Sequence, residues 1–170
     1  FSLPPLILHV ILTENPQYLR EWAVNLPAPP EGCTYFNFTS SHDGIGVRPL
    51  EGLVPQKEFH WLVEGVKERE GYVSYKENAD GSESPYELNI TYFDAFSDPE
   101  TASDELQFRR YMCSQLIMMS LQGLPAFYIH NLTATRNDLE GVLKTNEKRA
   151  INRKQWEYSE LVENLKDKDH

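Results

Sequence analysis

The stretch TYFNFTSSHDGIGVRPLEG, residues 34–52, opens as alternating aromatic and polar residues and then stops at His42-Asp43, with Gly44 and Gly46 following. Period-two alternation rich in aromatic residues and threonine, bounded by Gly32 and Gly44, predicts a strand over CTYFNFTSS, residues 33–41. The imidazole and the carboxylate therefore stand where a strand gives way to a glycine-rich loop. In alternating α/β architectures, functional side chains sit just past the carboxyl ends of strands.

Upstream of that strand, Leu6 to Glu14 reads as a short apolar helix entered through Pro4-Pro5, since proline suits a first helical turn. NPQYLREWAVNL, residues 15–26, reads as a second helix, with Asn15 as N-cap and Tyr18, Leu19, Trp22, Ala23 and Leu26 at helical spacing. PAPPEG, residues 27–32, is a break. Downstream, 56–70 is predicted helical with Phe59, Leu62, Val63 and Val66 on one face. KENADGSES (76–84) is predicted as loop, and YELNITYFDA (86–95) as an extended run. From Ser103 a long helix is expected, with an apolar face through Phe108, Met112, Gln115 and Met119 that ends before Gly123 and Pro125. LPAFYIHN (124–131) reads as an apolar strand covered on both faces. A polar loop then leads to a last helix, Tyr158 to Leu165. Strands alternating with helices imply an α/β protein with a parallel sheet. Two main strands make no stable parallel sheet, so part of the sheet is expected to lie outside this chain.

Length and composition narrow the function. The 170 residues are 40% hydrophobic and 12% aromatic, enough for a core and against disorder. A formal charge of -10 repels phosphate backbones and anionic membranes, so nucleic acid and membrane are excluded as partners. No apolar run approaches the ~20 residues of a bilayer span. FSLPPLILHVILTE lacks the basic region and cleavage site of a signal peptide. Cys33 and Cys113 are expected as two buried free thiols rather than a disulfide. The sequons at Asn37, Asn89 and Asn131 are taken as chance matches in a reduced, cytoplasmic protein.

Each candidate residue carries a plain and a functional reading. His42-Asp43 is either a loop-initiating Asp beside an incidental His, the commoner case, or a sugar site. In the latter the carboxylate stabilises an oxocarbenium-like centre and the imidazole bonds a hydroxyl. Arg149, in KRAINR, is either solvated or fixes carboxylates and hydroxyls with its planar fork. Tyr86 and Glu87 either lead into an edge strand or form an aromatic wall and a carboxylate for a hydroxylated acceptor. His130 and Asn131 read as hydrogen-bonded supporting residues. No phosphate loop, metal-binding pattern or cofactor motif is present in the sequence.

FNFTSSHDGIGVRPLEGLVP (36–55) resembles the fourth conserved region of the α-amylase superfamily, glycoside hydrolase family 13, and HDGIGV resembles its sucrose phosphorylase branch. FSLPPLILHV, YELNITYFDA, LPAFYIHNL and RNDLEGVLKTNEKRAINR are similar to that branch in the same order. The resemblance implies a (β/α)8 TIM barrel of which residues 1–170 are the carboxyl-terminal part. TYFNFTSS would be strand seven, LPAFYIHN strand eight, and residues 44–97 an inserted B′-type excursion. It implies that Asp43 stabilises the transition state, that His42 and Arg149 contact the sugar, and that Tyr86 and Glu87 lie on a mobile acceptor loop. Sucrose-specific members carry glutamine at the place of Glu87, which favours glucosylglycerate, glucosylglycerol or sucrose 6′-phosphate as donor. The implied activity is transfer of glucose from an α-glucoside to inorganic phosphate with retention, without cofactor or metal, in the cytoplasm. Its nucleophile and acid/base, about 5–5.5 Å apart, would lie upstream of Phe1, leaving the isolated chain inactive and prone to self-association through open sheet edges. The alternatives are a hydrolase of the same family and a non-catalytic sugar-binding or structural piece.

Overall fold

Pro4 and Pro5 lie in the first turn of α1 (Leu3–Thr13), where their missing amides leave no helical bond unmade. The computed structural model describes residues 1–167. Leu3 to Val10 of α1 are all buried, as suits a helix apolar on every side. The N-cap of α2 (Gln17–Val24) is Pro16 rather than Asn15, although Asn15 Oδ1 accepts from the Gln17 amide at 3.1 Å, satisfying a donor that a helix start leaves free.

The predicted strand 33–41 is regular only at β1 (Phe36–Asn37), which pairs in parallel with β5 (Leu124–Pro125), Phe36 opposite Leu124. The apolar run 124–131 is thus a strand for two residues and then turns into the short α5 (Ile129–Leu132). It is not covered on both faces, for Leu124 is 60% and Phe36 67% exposed. Among the described residues this parallel pair has no outer neighbours along which a ladder could extend. Gly123 lets the two backbones meet: its φ is +139°, and a Cβ there would stand 2.6 Å from the Tyr35 carbonyl oxygen.

Between these strands lies an antiparallel sheet in the order β2 (Ile45–Gly46), β4 (Glu83–Asn89), β3 (Tyr72–Glu77). The expected loop 76–84 is shorter than its polar composition implied. Asn78 donates to the Ser82 carbonyl at 2.7 Å and closes a β3–β4 hairpin around Gly81 at φ +80°. The helix predicted over 56–70 is α3 (Gln56–Glu68), and Phe59, Leu62, Val63 and Val66 are its buried face. They pack with Leu6 and Leu8 of α1, Ile45, Val47, Val73, Leu88 and Phe96 into the main core.

α4 (Asp104–Ser120) starts at Ser103, whose hydroxyl accepts from the Leu106 amide. Of the face expected to be inward, only Gln115 is buried. Gln107, Tyr111, Ser114, Gln115 and Met118 point inward, while Phe108, Met112, Leu116 and Met119 are exposed. The buried face is polar because it bonds loop ends: Gln107 donates to the Phe93 carbonyl, and the Gln115 amide to Thr39 Oγ1. The supposed polar loop after α5 holds α6 (Leu139–Thr145), capped by Asp138, and a 3₁₀ turn at Lys148–Asn152. α7 (Tyr158–Lys166) agrees with expectation. Both cysteines are free as expected but exposed, Cys113 on the outer side of α4. Among the described residues no helix is long and apolar enough to cross a membrane.

Replacing Gly123 by Ala imposes an unfavourable φ on an L side chain and presses a Cβ onto backbone. The expected loss is about 1–3 kcal/mol, read as a lower denaturation midpoint of the protein containing this chain; an unchanged midpoint would show that the β1–β5 contact tolerates a side chain.

Candidate functional site

Asp43 is brought to its place by the strand that follows it. β2 pairs with β4 so that Ile45 faces Leu88 and Gly46 faces Glu87, which lays the His42–Gly44 loop across β4. The approach demands a glycine, since a Cβ on Gly44 would lie 2.3 Å from the Leu88 carbonyl oxygen. On the preceding side, the loop is tied down at Thr39 and Ser40. Asn131 Nδ2 donates to Thr39 Oγ1 at 2.7 Å, and Ser40 Oγ donates to Asn131 Oδ1 at 2.6 Å. The Asp43 amide is held by Ser41 Oγ at 3.2 Å.

Arg149 arrives from the 3₁₀ turn and meets two carboxylates. Its Nε and Nη2 donate to Glu87 Oε1 and Oε2 at 3.0 and 2.8 Å, and Nη1 lies 3.2 Å from Asp43 Oδ1. The fork geometry is directed at Glu87, the stronger, bidentate arrangement. Hydrogen bonding to Glu87 in the first place, and then the nearby charges, raise the Arg149 pKa above its ordinary value. Asn89 Nδ2 donates to Glu87 Oε1 at 2.6 Å, and Ser74 Oγ to Asn89 Oδ1 at 2.7 Å. A chain of contacts therefore runs from the β3–β4 sheet through Glu87 and Arg149 to Asp43.

The residues singled out in the sequence are differently placed. Asp43, Tyr86, Glu87 and Arg149 line one cavity of about 200 Å³, together with Phe1, Phe38, Ser40 and Ser41. His42 is not among the lining residues; its ring is exposed, with Nε2 3.6 Å from Asp43 Oδ1. Tyr86 and Glu87 are not on a loop. They belong to β4, the middle strand of its sheet, and Glu87 is 4% exposed with both oxygens engaged by Arg149. The hydrogen-bonded roles read for His130 and Asn131 match what they do: both are buried, and His130 Nε2 lies 3.0 Å from the Lys154 carbonyl.

One residue was passed over. Arg153 donates from Nε to the His42 carbonyl at 3.0 Å and from Nη2 to Asp43 Oδ1 at 3.3 Å. Its only signal in the sequence is a position four residues after Arg149. Two guanidiniums thus face two carboxylates, so the site is locally balanced within a chain of net charge -10. Among the described residues no group of three or more His, Cys, Asp or Glu could hold a metal ion. Larger and more open grooves, of about 830 and 790 Å³, lie by α6 and between α4 and α7; Asp43 lines neither, though Arg153 lines the first.

No family model matches the chain. It is 46% identical over 167 residues to the glucosylglycerate phosphorylase of Escherichia coli and 42% to that of Spirochaeta thermophila, covering 98% of this chain and 30% and 28% of those proteins. It is 31% identical to the sucrose phosphorylase of Bifidobacterium adolescentis, over 98% of this chain and 32% of that protein. The crystal structure of sucrose 6F-phosphate phosphorylase from Thermoanaerobacter thermosaccharolyticum superposes with a TM-score of 0.81 at 27% identity, covering 98% of this chain and 32% of that one. The chain spans about a third of the length of these relatives. The resemblance carried by the HDGIGV motif thus extends over 98% of the chain in sequence and in fold.

Burial pushes the His130 imidazole below its ordinary value. The Lys154 carbonyl can only accept, so a neutral ring holds its proton on Nε2. The unfolded chain takes up a proton more readily than the folded one, so His130 contributes its full stability above about pH 6.5 and loses it as pH falls from there. The denaturation midpoint is expected to drop between about pH 7 and about pH 5, and a His130→Gln variant should drop less. An equal drop in both would remove His130 from the account.

Proposed function

We propose, from the premise that this is a chain of the sucrose phosphorylase type, that it is the carboxyl-terminal part of the catalytic barrel of a retaining α-glucoside phosphorylase. The observation that carries this reading is Asp43, held in the loop between β1 and β2 at the edge of a cavity and flanked by Arg149. In a retaining reaction an enzyme carboxylate displaces the leaving group to give a β-glucosyl ester, and a second carboxylic acid protonates the departing oxygen. Phosphate then gives a proton to that second carboxylate and attacks the same carbon, expelling the enzyme carboxylate, so that the glucose leaves as α-glucose 1-phosphate. Both of those carboxylates come from the part of such an enzyme that this chain does not span.

In this reading Asp43 supplies negative charge beside the sugar ring as it flattens and becomes cationic. Arg149 holds that carboxylate, Tyr86 walls the cavity, and His42 turns to a sugar hydroxyl once substrate is present. Glucosylglycerate is the proposed donor, because the relatives acting on it are the more similar in sequence. Residues 44–97, with the β2–β4–β3 sheet and α3, form the inserted B′-type excursion, and β1 and β5 are barrel strands seven and eight. The exposed Phe36 and Leu124, and the outer sides of β1 and β5, unpaired among the described residues, support this, for in a closed barrel both would be covered. The cavity is also smaller than the roughly 300–1,000 Å³ of a complete ligand site. The intact enzyme works in the cytoplasm with no cofactor.

The full-length protein should release glucose 1-phosphate from glucosylglycerate only when phosphate is present. Asp43→Asn should cost on the order of 3 kcal/mol or more in the barrier, about 100-fold in rate. Release of free glucose at a rate indifferent to phosphate would instead make the protein a hydrolase, and near-wild-type turnover by the Asn variant would strip Asp43 of its role. The isolated 170 residues should show no turnover and should self-associate in light scattering. A stable monomer at high concentration would count against an opened barrel.

A further inference from the structure

We propose that Arg153 is a positioning residue for Asp43, acting on the peptide that carries it as well as on its carboxylate. This rests on the reading of Asp43 above. Arg153 sits just beyond the 3₁₀ turn, and its fork spans two parts of the same loop. Nε donates to the carbonyl of His42 at 3.0 Å, and Nη2 donates to Asp43 Oδ1 at 3.3 Å. The first contact fixes the plane of the peptide between residues 42 and 43; the second fixes the side-chain rotation. Together they set the direction of the carboxylate, as a planar guanidinium can and an ammonium cannot.

Arg149 does not do this alone. Its Nε and Nη2 are committed to Glu87, and only Nη1 reaches Asp43. The nearest approach of both arginines is to Oδ1. With that oxygen occupied from two sides, the carboxylate presents Oδ2 to whatever enters the cavity. Asp43 and Arg153 are 38% and 41% exposed, so their pairing adds little to stability. Its effect falls on geometry, where a displacement of about 1 Å costs up to ~100-fold in rate.

The test uses the full-length protein with glucosylglycerate and phosphate. Arg153→Ala should lower kcat by about 10- to 100-fold, change KM far less, and lower the melting temperature by no more than about 4 °C. Guanidinium added at millimolar, non-denaturing concentration should restore part of the lost kcat, and Arg153→Lys should restore less than guanidinium does. A kcat close to wild type in Arg153→Ala would overturn the inference. A loss of activity that tracks a large loss of stability and resists guanidinium would overturn it too, by making the residue structural. If the wild-type protein fails to phosphorolyse glucosylglycerate, the donor or the phosphorylase reading fails instead, and the two failures are told apart before any variant is made.

Discussion

A buried carboxylate cannot remain charged without a partner, and Glu87 has one partner able to satisfy both of its oxygens. The fork of Arg149 does so, with Asn89 adding a third bond to Oε1. Stranding that carboxylate would cost at least about 1–3 kcal/mol, as for any buried acceptor left without a donor. The cost is enough to bind the 3₁₀ turn to the middle strand of the sheet. Once Arg149 is held there, its remaining nitrogen can only face Asp43. The position of the candidate catalytic carboxylate is therefore set in part from a sheet that contributes no reacting group to the proposed reaction.

Two glycines make that arrangement sterically possible. Gly44 allows the Asp43 loop to lie against the Leu88 carbonyl, and Gly123 allows β5 to lie against the Tyr35 carbonyl. In both cases the obstructing atom is backbone, which cannot rotate aside. The same close approach brings β1 and α5 together, so that Thr39, Ser40 and Asn131 bond one another beneath the loop. The polar inner face of α4 completes this layer through Gln115. Polar residues are buried here because loop ends expose carbonyls and hydroxyls that need partners.

Chemistry-bearing residues drawn from distant parts of the chain meet at one point. Asp43 and Arg153 are separated by 110 positions, and Arg149 and Glu87 by 62. Such long-range ion pairs are decided by topology, since neither local spacing nor periodicity brings their members together. Arg153 carries no such local signal, whereas Asp43 carries one in the glycine-rich HDGIG stretch.

Where local physics suffices, the residues alone were informative. The proline-led start of α1, the apolar face of α3, the start of α4 at Ser103 and the span of α7 all follow from short-range spacing. The strand expected over 33–41 was legible and pairs in parallel, though it is regular only over Phe36–Asn37. Which face of α4 is buried, that Glu87 lies in a middle strand rather than a loop, and that both cysteines are exposed were settled only by tertiary packing. The reason is the same in each case. A side chain's burial depends on what the rest of the chain lays over it, and a buried charge adopts the partner that the fold delivers, whatever its distance in sequence.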